Sequence, residues 1–372
     1  MYINPAYIGI RPFIWINLGE KKLAVESSSH LRGVMTKDRL MIYVFVALCL
    51  PGAVAVWVHG FDALTVILVS VGVAVAAHML TSVVVKKEEF SHPFSAMVTG
   101  MIVALSYGFT VTATTPMADQ ILDTVFVVAI ISWGAELIKK LQGFLNRKYL
   151  NPAAASKLLA LTVIPFRVLP VYTTPLSTAQ EFFFFPKDHN AYNLINEMKF
   201  YTGIGMHYGS NPIQSLIVLK EHGWIGATSS IAVLISALAL IILLRGYIKW
   251  RIPLAYLSTM AVLSASYWIV AGEGKYIPLE LRVAFHVFAG SVFFLAFFMA
   301  TDPPTTPITH LGQGIFAIGL GILTFAFQLF GNFFGGSILA LVIMNLATPL
   351  LNCWGIRKPK KYRSHKKMKE ES

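Results

Sequence analysis

The sequence predicts an all-α polytopic membrane protein with about ten transmembrane helices, and three observations support that fold class. Hydrophobic side chains make up 56% of the 372 residues and charged side chains only 13%, about half the charged fraction of a soluble domain. The mean hydropathy is +0.65. The apolar residues are gathered into separate runs near the length that crosses ~30 Å of hydrocarbon. A soluble cytosolic enzyme is excluded, because too few charges remain to cover a water-facing surface.

Nine apolar runs are candidate spans, and a tenth run is shorter. In chain order the nine are Leu40–Val58, Leu64–Val85, Pro93–Tyr107, Asp119–Ile138, Ser230–Leu244, Ile252–Ala271, Val283–Ala300, Gly314–Phe330 and Gly335–Leu351. The tenth run, Ala153–Phe166, has only fourteen residues, and that length is typical of a re-entrant or irregular element.

The positive charges favour ten spans over nine. If Ala153–Phe166 crosses the membrane, the segments on the side of both termini hold 23 of the 30 Lys and Arg residues, and the opposite segments hold six. The positive-inside rule then places both termini in the cytoplasm, in the cell inner (cytoplasmic) membrane. With nine spans the loop Arg245–Arg251 would be external. The net charge of +12 therefore indicates topology and contact with the lipid bilayer, and no nucleic-acid partner is expected.

This topology divides the chain into five parts. They are a cytoplasmic N-terminal segment (residues 1–39), a first five-helix half (40–166), an extracytoplasmic loop (167–229), a second five-helix half (230–352) and a basic cytoplasmic tail (353–372). Because each half has an odd number of spans, the halves are expected to be inverted repeats, as in many transport folds.

A Thr-Thr-Pro run follows the third span of each half. The runs contain Thr114 and Thr115 in the first half, and Thr305 and Thr306 in the second. Their hydroxyls and the adjacent backbone N–H groups are candidates for holding a buried ligand. The alternative is ordinary N-capping of the helix that follows.

Few ionisable residues lie within the spans, and most have a structural interpretation. We expect Glu136 to pair with Lys139 or Lys140 one helical turn away. His78 and His286 are expected to be hydrogen-bonded packing residues, and no metal site is expected, because no ligand recurs at metal-binding spacing. Asp302 has two equal interpretations, a cap for the next helix or a ligand or cation site. Two asparagines, Asn151 and Asn345, are expected to bond irregular backbone.

Several longer strings then carry a family resemblance. They are SSHLRGVMTKDRLMIYVFVALCLPGAVAVWVHG (28–60), HPFSAMVTGMIVALS (92–106), LNPAAASKLLALTVIP (150–165), WRIP (250–253), FFMATDPPTTP (297–307) and IMNLATPLLN (343–352). In this order they resemble the NqrB/RnfD family, which comprises membrane subunits of Rnf electron-transfer complexes and of the Na⁺-translocating NADH:quinone reductase, Nqr. The resemblance is closer to the Rnf branch.

The resemblance implies two flavins, one FMN joined through its phosphate to a threonine and a second flavin, such as riboflavin, held non-covalently. The matching segment here is LPVYTTPL, which places Thr174 at the acceptor position. Pro175 and Leu176 fit the family's pattern, but its Asp and its Ser/Thr-Gly-Ala are missing, which leaves open whether a flavin transferase modifies this site. Thr228, in Gly-Ala-Thr, is a competing acceptor, and a chain with no covalent flavin is the third possibility. The Phe182–Phe185 run either covers the flavin ring or anchors the loop at the membrane surface.

The function implied is that of a flavin-carrying subunit in an Rnf/Nqr-type complex, relaying electrons in a redox-driven Na⁺ or H⁺ pump. Such a chain is inactive alone and has no catalytic residue of its own. Its partners would be the other membrane and peripheral subunits, and a flavin transferase if Thr174 is modified. The second flavin or the ion passage would use Thr114, Thr115, Asp302, Thr305 and Thr306. The alternative is a flavin-free transporter or channel for a small solute, built on the same inverted repeats.

Overall fold

The structure is a computed structural model that describes residues 36–83, 93–107, 117–144, 148–163, 213, 217–218, 224–244, 246–272, 278–288, 291–330 and 336–355. Within these ranges the chain is all helical, which confirms the predicted fold class. The α-helices are α1 (Lys37–Thr81), α2 (Phe94–Leu105), α3 (Met117–Phe144), α4 (Pro152–Val163), α5 (Ser230–Leu243), α6 (Arg251–Ala271), α7 (Leu279–Phe288), α8 (Val292–Phe294), α9 (His310–Phe330) and α10 (Gly336–Gly355).

Helix α1 is a hairpin of two spans and not one long rod. A straight helix of its 45 residues would be ~67 Å long, about twice the thickness of the hydrocarbon core. Gly60 interrupts it with φ 66° and ψ −146°, a conformation that glycine adopts readily and other residues avoid. A Cβ placed on Gly52 would lie 3.8 Å from Cδ1 of Ile67, so the two arms fold back on each other. The arms correspond to the first two predicted spans.

The other predicted spans also coincide with helices, but their lengths differ. Among the described residues, α1, α6, α9 and α10 are long and apolar enough to cross a membrane, and α7 with the Val292–Met299 segment makes a fifth candidate, bent by 60°. The bend divides the predicted span Val283–Ala300, and residues Leu295–Met299 form a π-helix. Helices α2, α4 and α5 are short, with 12, 12 and 14 residues.

The surface of α1 has the inverted pattern that lipid favours. Large apolar side chains face outward, for example Trp57 (70% exposed) and Phe61 (83% exposed). Most of the buried positions of α1 carry small side chains, for example Ser70, Ala74 and Ala77. In a bilayer the tails solvate large apolar groups, and small residues let helix backbones approach closely.

Two helix contacts recur at corresponding places in the two halves of the chain. The second arm of α1 contacts α3 through a Ser70–Ser132 hydrogen bond of 2.7 Å, and α6 contacts α9 through Tyr256 and Thr324 at 3.1 Å. Helix α3 then packs on α4, as α9 packs on α10, and the halves meet where α4 contacts α10 and α1 contacts α5.

Candidate functional site

A cavity of about 120 Å³ lies at one end of the bundle, between the two halves. Apolar side chains of α1 and α5 form one wall, and the polar lining comes from Ser95, Thr99, Lys139, Gln142, Lys148, Asn151, Thr301 and Asp302. Since one water needs roughly 10–15 Å³ by this kind of measure, the cavity can hold several waters or a hydrated ion.

A buried charged cluster borders the cavity on the side of the first half. Glu136 on α3 is completely buried, and its Oε1 accepts a hydrogen bond of 2.7 Å from Nζ of Lys139. The same ammonium donates to the carbonyl oxygen of Ser95 at 2.9 Å and to Oγ1 of Thr99 at 3.1 Å. The i,i+3 pair predicted from the sequence is therefore confirmed. His78 adds a partner that the sequence did not indicate, because its Nδ1 lies 3.6 Å from Oε2 of Glu136.

The second half contributes the loop that contains Asp302, Thr305 and Thr306. Both threonines are buried. The hydroxyl of Thr305 lies 3.2 Å from Oδ2 of Asp302, and the hydroxyl of Thr306 donates to the Asp302 carbonyl oxygen at 2.8 Å. Helix α9 is capped instead by Thr309, whose Oγ1 accepts a hydrogen bond of 3.1 Å from the Gly312 N–H. Of the two interpretations of Asp302, the helix cap is thus not observed, and the carboxylate lines the cavity.

Lys249, in the segment between α5 and α6, forms hydrogen bonds to the loop that contains Asp302. Its Nζ donates to the carbonyl oxygens of Pro303 and Thr306, each at 2.9 Å, and to Oγ1 of Thr306 at 2.6 Å. Burial lowers the pKa of Lys249 from 10.5 to about 8, and the charge of Asp302 opposes that shift. Burial raises the pKa of the Asp302 carboxyl, against the opposing effects of Lys148, the Thr305 hydrogen bond and Lys249. The sequence did not single out Lys249, because its partners lie more than fifty residues away.

Two asparagine amides support irregular backbone around the cavity, as predicted. Nδ2 of Asn151 donates to the carbonyl oxygen of Met299, at the end of the π-helix, at 3.2 Å. With its amide oriented to match its neighbours, Asn345 donates to the Thr305 carbonyl oxygen at 3.3 Å and accepts from the Asn151 N–H at 3.1 Å. These bonds tie α4 of the first half to α10 of the second half.

The cavity also brings together segments that the charge analysis assigned to one side of the membrane. Lys139 and Lys148 line it together with Tyr247 and Ile248 from the following predicted cytoplasmic loop, and Leu40 at the start of α1 lines it too. Near the end of α10, Oδ1 of Asn352 accepts a hydrogen bond of 2.9 Å from the Ile308 N–H. These segments therefore lie at one end of the bundle.

Several predicted site residues fall outside the described residues. Thr174, Thr114 and Thr115 are among them, as is the Phe182–Phe185 run. The site that the structure does describe is therefore built from the second-half residues Asp302, Thr305 and Thr306, together with residues that the sequence assigned other roles.

Thr228, the competing flavin acceptor, is 2% exposed. Its hydroxyl donates to the Ile225 carbonyl oxygen at 2.6 Å and lies 3.2 Å from Nε2 of His59. The next residue, Ser229, caps α5 by accepting a hydrogen bond of 3.3 Å from the Ala232 N–H. A flavin on Thr228 would displace buried contacts at the start of α5.

His286 behaves as the predicted packing residue. It is 1% exposed, its Nδ1 lies 3.0 Å from Oε1 of Gln328, and its ring centroid lies 4.9 Å from that of Phe325. Among the residues that the structure describes, no group of three metal-binding side chains converges.

The described cavity is small for an organic ligand such as a flavin. Its volume of about 120 Å³ is below the ~300–1,000 Å³ of typical pockets for organic ligands. The hydroxyls of Thr305 and Thr306 are engaged within their own loop, so neither is available to a flavin ring without rearrangement of that loop.

Comparison with known proteins gives a consistent result along nearly the whole chain. The family model described as the NQR2, RnfD, RnfE family matches residues 24–361. The D subunit of the Na⁺-translocating ferredoxin:NAD⁺ oxidoreductase complex of Acetobacterium woodii is 30% identical over 353 residues, which cover 92% of this chain and 99% of that protein.

Two further relatives are named as the corresponding subunit. The D subunit of the ion-translocating oxidoreductase complex of Pectobacterium carotovorum is 26% identical over 91% of this chain and 98% of that protein. The D subunit of the proton-translocating ferredoxin:NAD⁺ oxidoreductase complex of Clostridium ljungdahlii is 27% identical over 88% of this chain and 93% of that protein. The chain belongs to the NQR2, RnfD, RnfE family of membrane subunits.

Proposed function

We propose that this chain is the flavin-carrying, RnfD-type membrane subunit of an Rnf-type complex, which relays electrons between partner subunits while the complex moves a cation. The observation that carries the proposal is the family match over residues 24–361, in a chain that covers 99% of its Acetobacterium woodii relative. A match of this length extends over both halves and the long loop between them.

The proposed attachment site for FMN is Thr174. The local sequence supports it, because Pro175 and Leu176 follow the threonine as in the family's pattern. The burial of Thr228 also favours Thr174 over its competitor, since a flavin transferase needs access to the hydroxyl that it modifies. When bound, the FMN would supply the redox chemistry, and the protein would hold it in place and tune its electrostatics.

The proposed role of the cavity is to receive the translocated cation from the cytoplasm. Its position supports this role, because it lies at the end of the bundle that the positive-inside rule assigns to the cytoplasm of the inner membrane. Asp302 is the lining carboxylate, and Thr305 and Thr306 hold it in place. The relatives are named as Na⁺-translocating in one case and proton-translocating in another, so the proposal includes either cation.

The covalent flavin can be tested in the complex purified from cells that make its flavin transferase. A denaturing gel viewed under ultraviolet light should show a fluorescent band for this chain, the band should disappear in Thr174→Ala, and it should remain in Thr228→Ala. A dark band in all three samples, with no flavin in the acid extract, would contradict the proposal and favour the flavin-free transporter.

A further inference from the structure

A buried lysine, Lys157 on α4, lies deep in the bundle. Helices α2 and α4 have 12 residues each, which makes them ~18 Å long. Both start at the cavity end, where Ser95 and Pro152 line the cavity. A helix of that length covers only part of ~30 Å of hydrocarbon, and Lys157 reaches the C-terminal end of α2.

The contacts of the Lys157 ammonium are those that a free monovalent cation would use. It donates to the carbonyl oxygen of Ser106, the residue that caps α2, where the partial negative charge of the helix end is concentrated. It also lies 4.0 Å from the centroid of the Trp224 ring, and the face of an indole attracts cations.

Neighbouring residues fix the positions of the groups that contact Lys157, namely the end of α2 and the Trp224 ring. Trp224 is 5% exposed and packs edge-on against Phe294, with ring centroids 6.2 Å apart. The next residue, Ile225, donates its N–H to the Tyr107 carbonyl oxygen at 2.8 Å. On α4, the neighbouring Ser156 donates to the Ile131 carbonyl oxygen at 2.7 Å. The end of α2, the indole and the lysine thus form a rigid arrangement.

This cation has no carboxylate partner within the described part of the chain. The contacts of the buried carboxylate Glu136 are with Lys139 and His78, and Lys139 lines the cavity. An ionisable residue at membrane depth is costly and usually functional. The contacts that stabilise the Lys157 side-chain nitrogen are with the Ser106 carbonyl oxygen and the face of the Trp224 ring.

We propose that the C-terminal end of α2 and the Trp224 ring form a binding site for a monovalent cation, and that the tethered ammonium of Lys157 is its permanent occupant. Ile102 on α2 and Ala153 on α4, each about one turn nearer the cavity end than Ser106 and Lys157, line the cavity. The site therefore places the Lys157 side-chain nitrogen just beyond the inner end of the cavity.

The test removes the Lys157 side chain from the site and supplies a free cation that can take its place. We expect the thermal unfolding temperature of Lys157→Ala, in the purified complex, to rise by several degrees as ethylammonium is added and then to reach a plateau. Choline chloride keeps the ionic strength constant throughout. The wild type and Lys157→Arg should not respond, because their own cation fills the site. Lys157→Met, which fills the space without a charge, is the matched control and should not respond either.

A response of Lys157→Ala to Na⁺ or K⁺ in place of ethylammonium would support the same site. The proposal is overturned if Lys157→Ala responds to none of these cations more than the wild type does. The flavin content plays no part in this measurement, so its outcome is independent of the proposed electron relay.

A second measurement applies if Lys157→Ala does not fold. In a double-mutant cycle, Trp224→Leu should lower the unfolding temperature more in the Lys157 chain than in the Lys157→Met chain, because only the former contains the cation that the indole attracts. Equal losses in the two backgrounds would overturn the proposal.

Discussion

At the scale of single residues, Glu136 shows how a buried charge is stabilised by direct partners. Glu136 is the most demanding case, because it is completely buried on a helix that packs within the bundle. Its partner Lys139 divides its hydrogen bonds between that carboxylate and the start of α2. Removing either residue leaves the other as an unpaired buried charge. The loss of stability is then larger than when both residues are replaced together.

We therefore predict that Lys139→Met destabilises the protein by about 3–5 kcal/mol, the usual cost of stranding one member of a buried pair. The double variant Glu136→Gln, Lys139→Met should recover most of that loss, because no unpaired charge remains. Denaturant unfolding in mixed micelles measures both. Equal losses in the single and double variants would show that the Glu136 carboxylate is not paired as described.

Lys249 gives a prediction about pH. Its pKa is about 8 in the folded protein, against an ordinary value of 10.5. Between these two values the unfolded chain binds more protons at this residue than the folded chain, so the contribution of Lys249 to stability rises with pH. Lys249→Arg stays charged and lacks that contribution.

The measurement is the unfolding temperature of both chains at several values between about pH 7 and pH 10. The unfolding temperature of the wild type, relative to that of Lys249→Arg, should increase steadily as the pH rises. A difference that stays constant, or one that shrinks, would contradict the burial of the ammonium against the Asp302 loop.

At the scale of elements, close approach of helix backbones holds the first half together. Oγ of Ser70 donates to the Gly100 carbonyl oxygen at 2.6 Å. A Cβ on Gly100 would lie 2.8 Å from both the Ser70 carbonyl oxygen and Cα of Val71. These are backbone atoms, so they cannot move aside as a flexible side chain would.

Gly100→Ala should therefore destabilise the protein by roughly 1–3 kcal/mol, the range found for overpacked sites. Gly72, on the same arm of α1 as Ser70, is the matched control, because a Cβ there would meet no atom within 4 Å. Gly72→Ala should be neutral or stabilising by up to ~1 kcal/mol, the helix propensity difference. Unfolding of the two variants in the same lipid mixture compares them, and equal effects would contradict the close packing of α1 and α2.

The positions of the helices could be predicted from the sequence, but several of their shapes could not. Apolar runs fix where a span lies, because each residue must be compatible with lipid. They do not show that α1 reverses at Gly60, that Val283–Ala300 bends or that α2 stops after 12 residues. Those features depend on which backbones meet in three dimensions.

The same limit applies to the site. The pairing of Glu136 with Lys139 follows from helical spacing. The approach of His78, the bonds from Lys249 to the Asp302 loop and the contact of Lys157 with Ser106 each join residues more than fifty positions apart. No local pattern in the sequence connects such residues.

At the scale of the whole molecule, the cavity lies where residues of the two halves meet. The asparagines Asn151 and Asn345 join the halves beside the cavity. The segments around it belong to the predicted cytoplasmic side. Under the proposed function, the cavity would receive a cation and an FMN on Thr174 would exchange electrons.

The most direct test of that central claim is the intact mass of this chain, purified with its complex from cells that contain the flavin transferase. The proposed function predicts the mass of the chain plus one FMN less one water, and the unmodified mass for Thr174→Ala. The unmodified mass for the wild type, from a complex whose acid extract also contains no flavin, would contradict it.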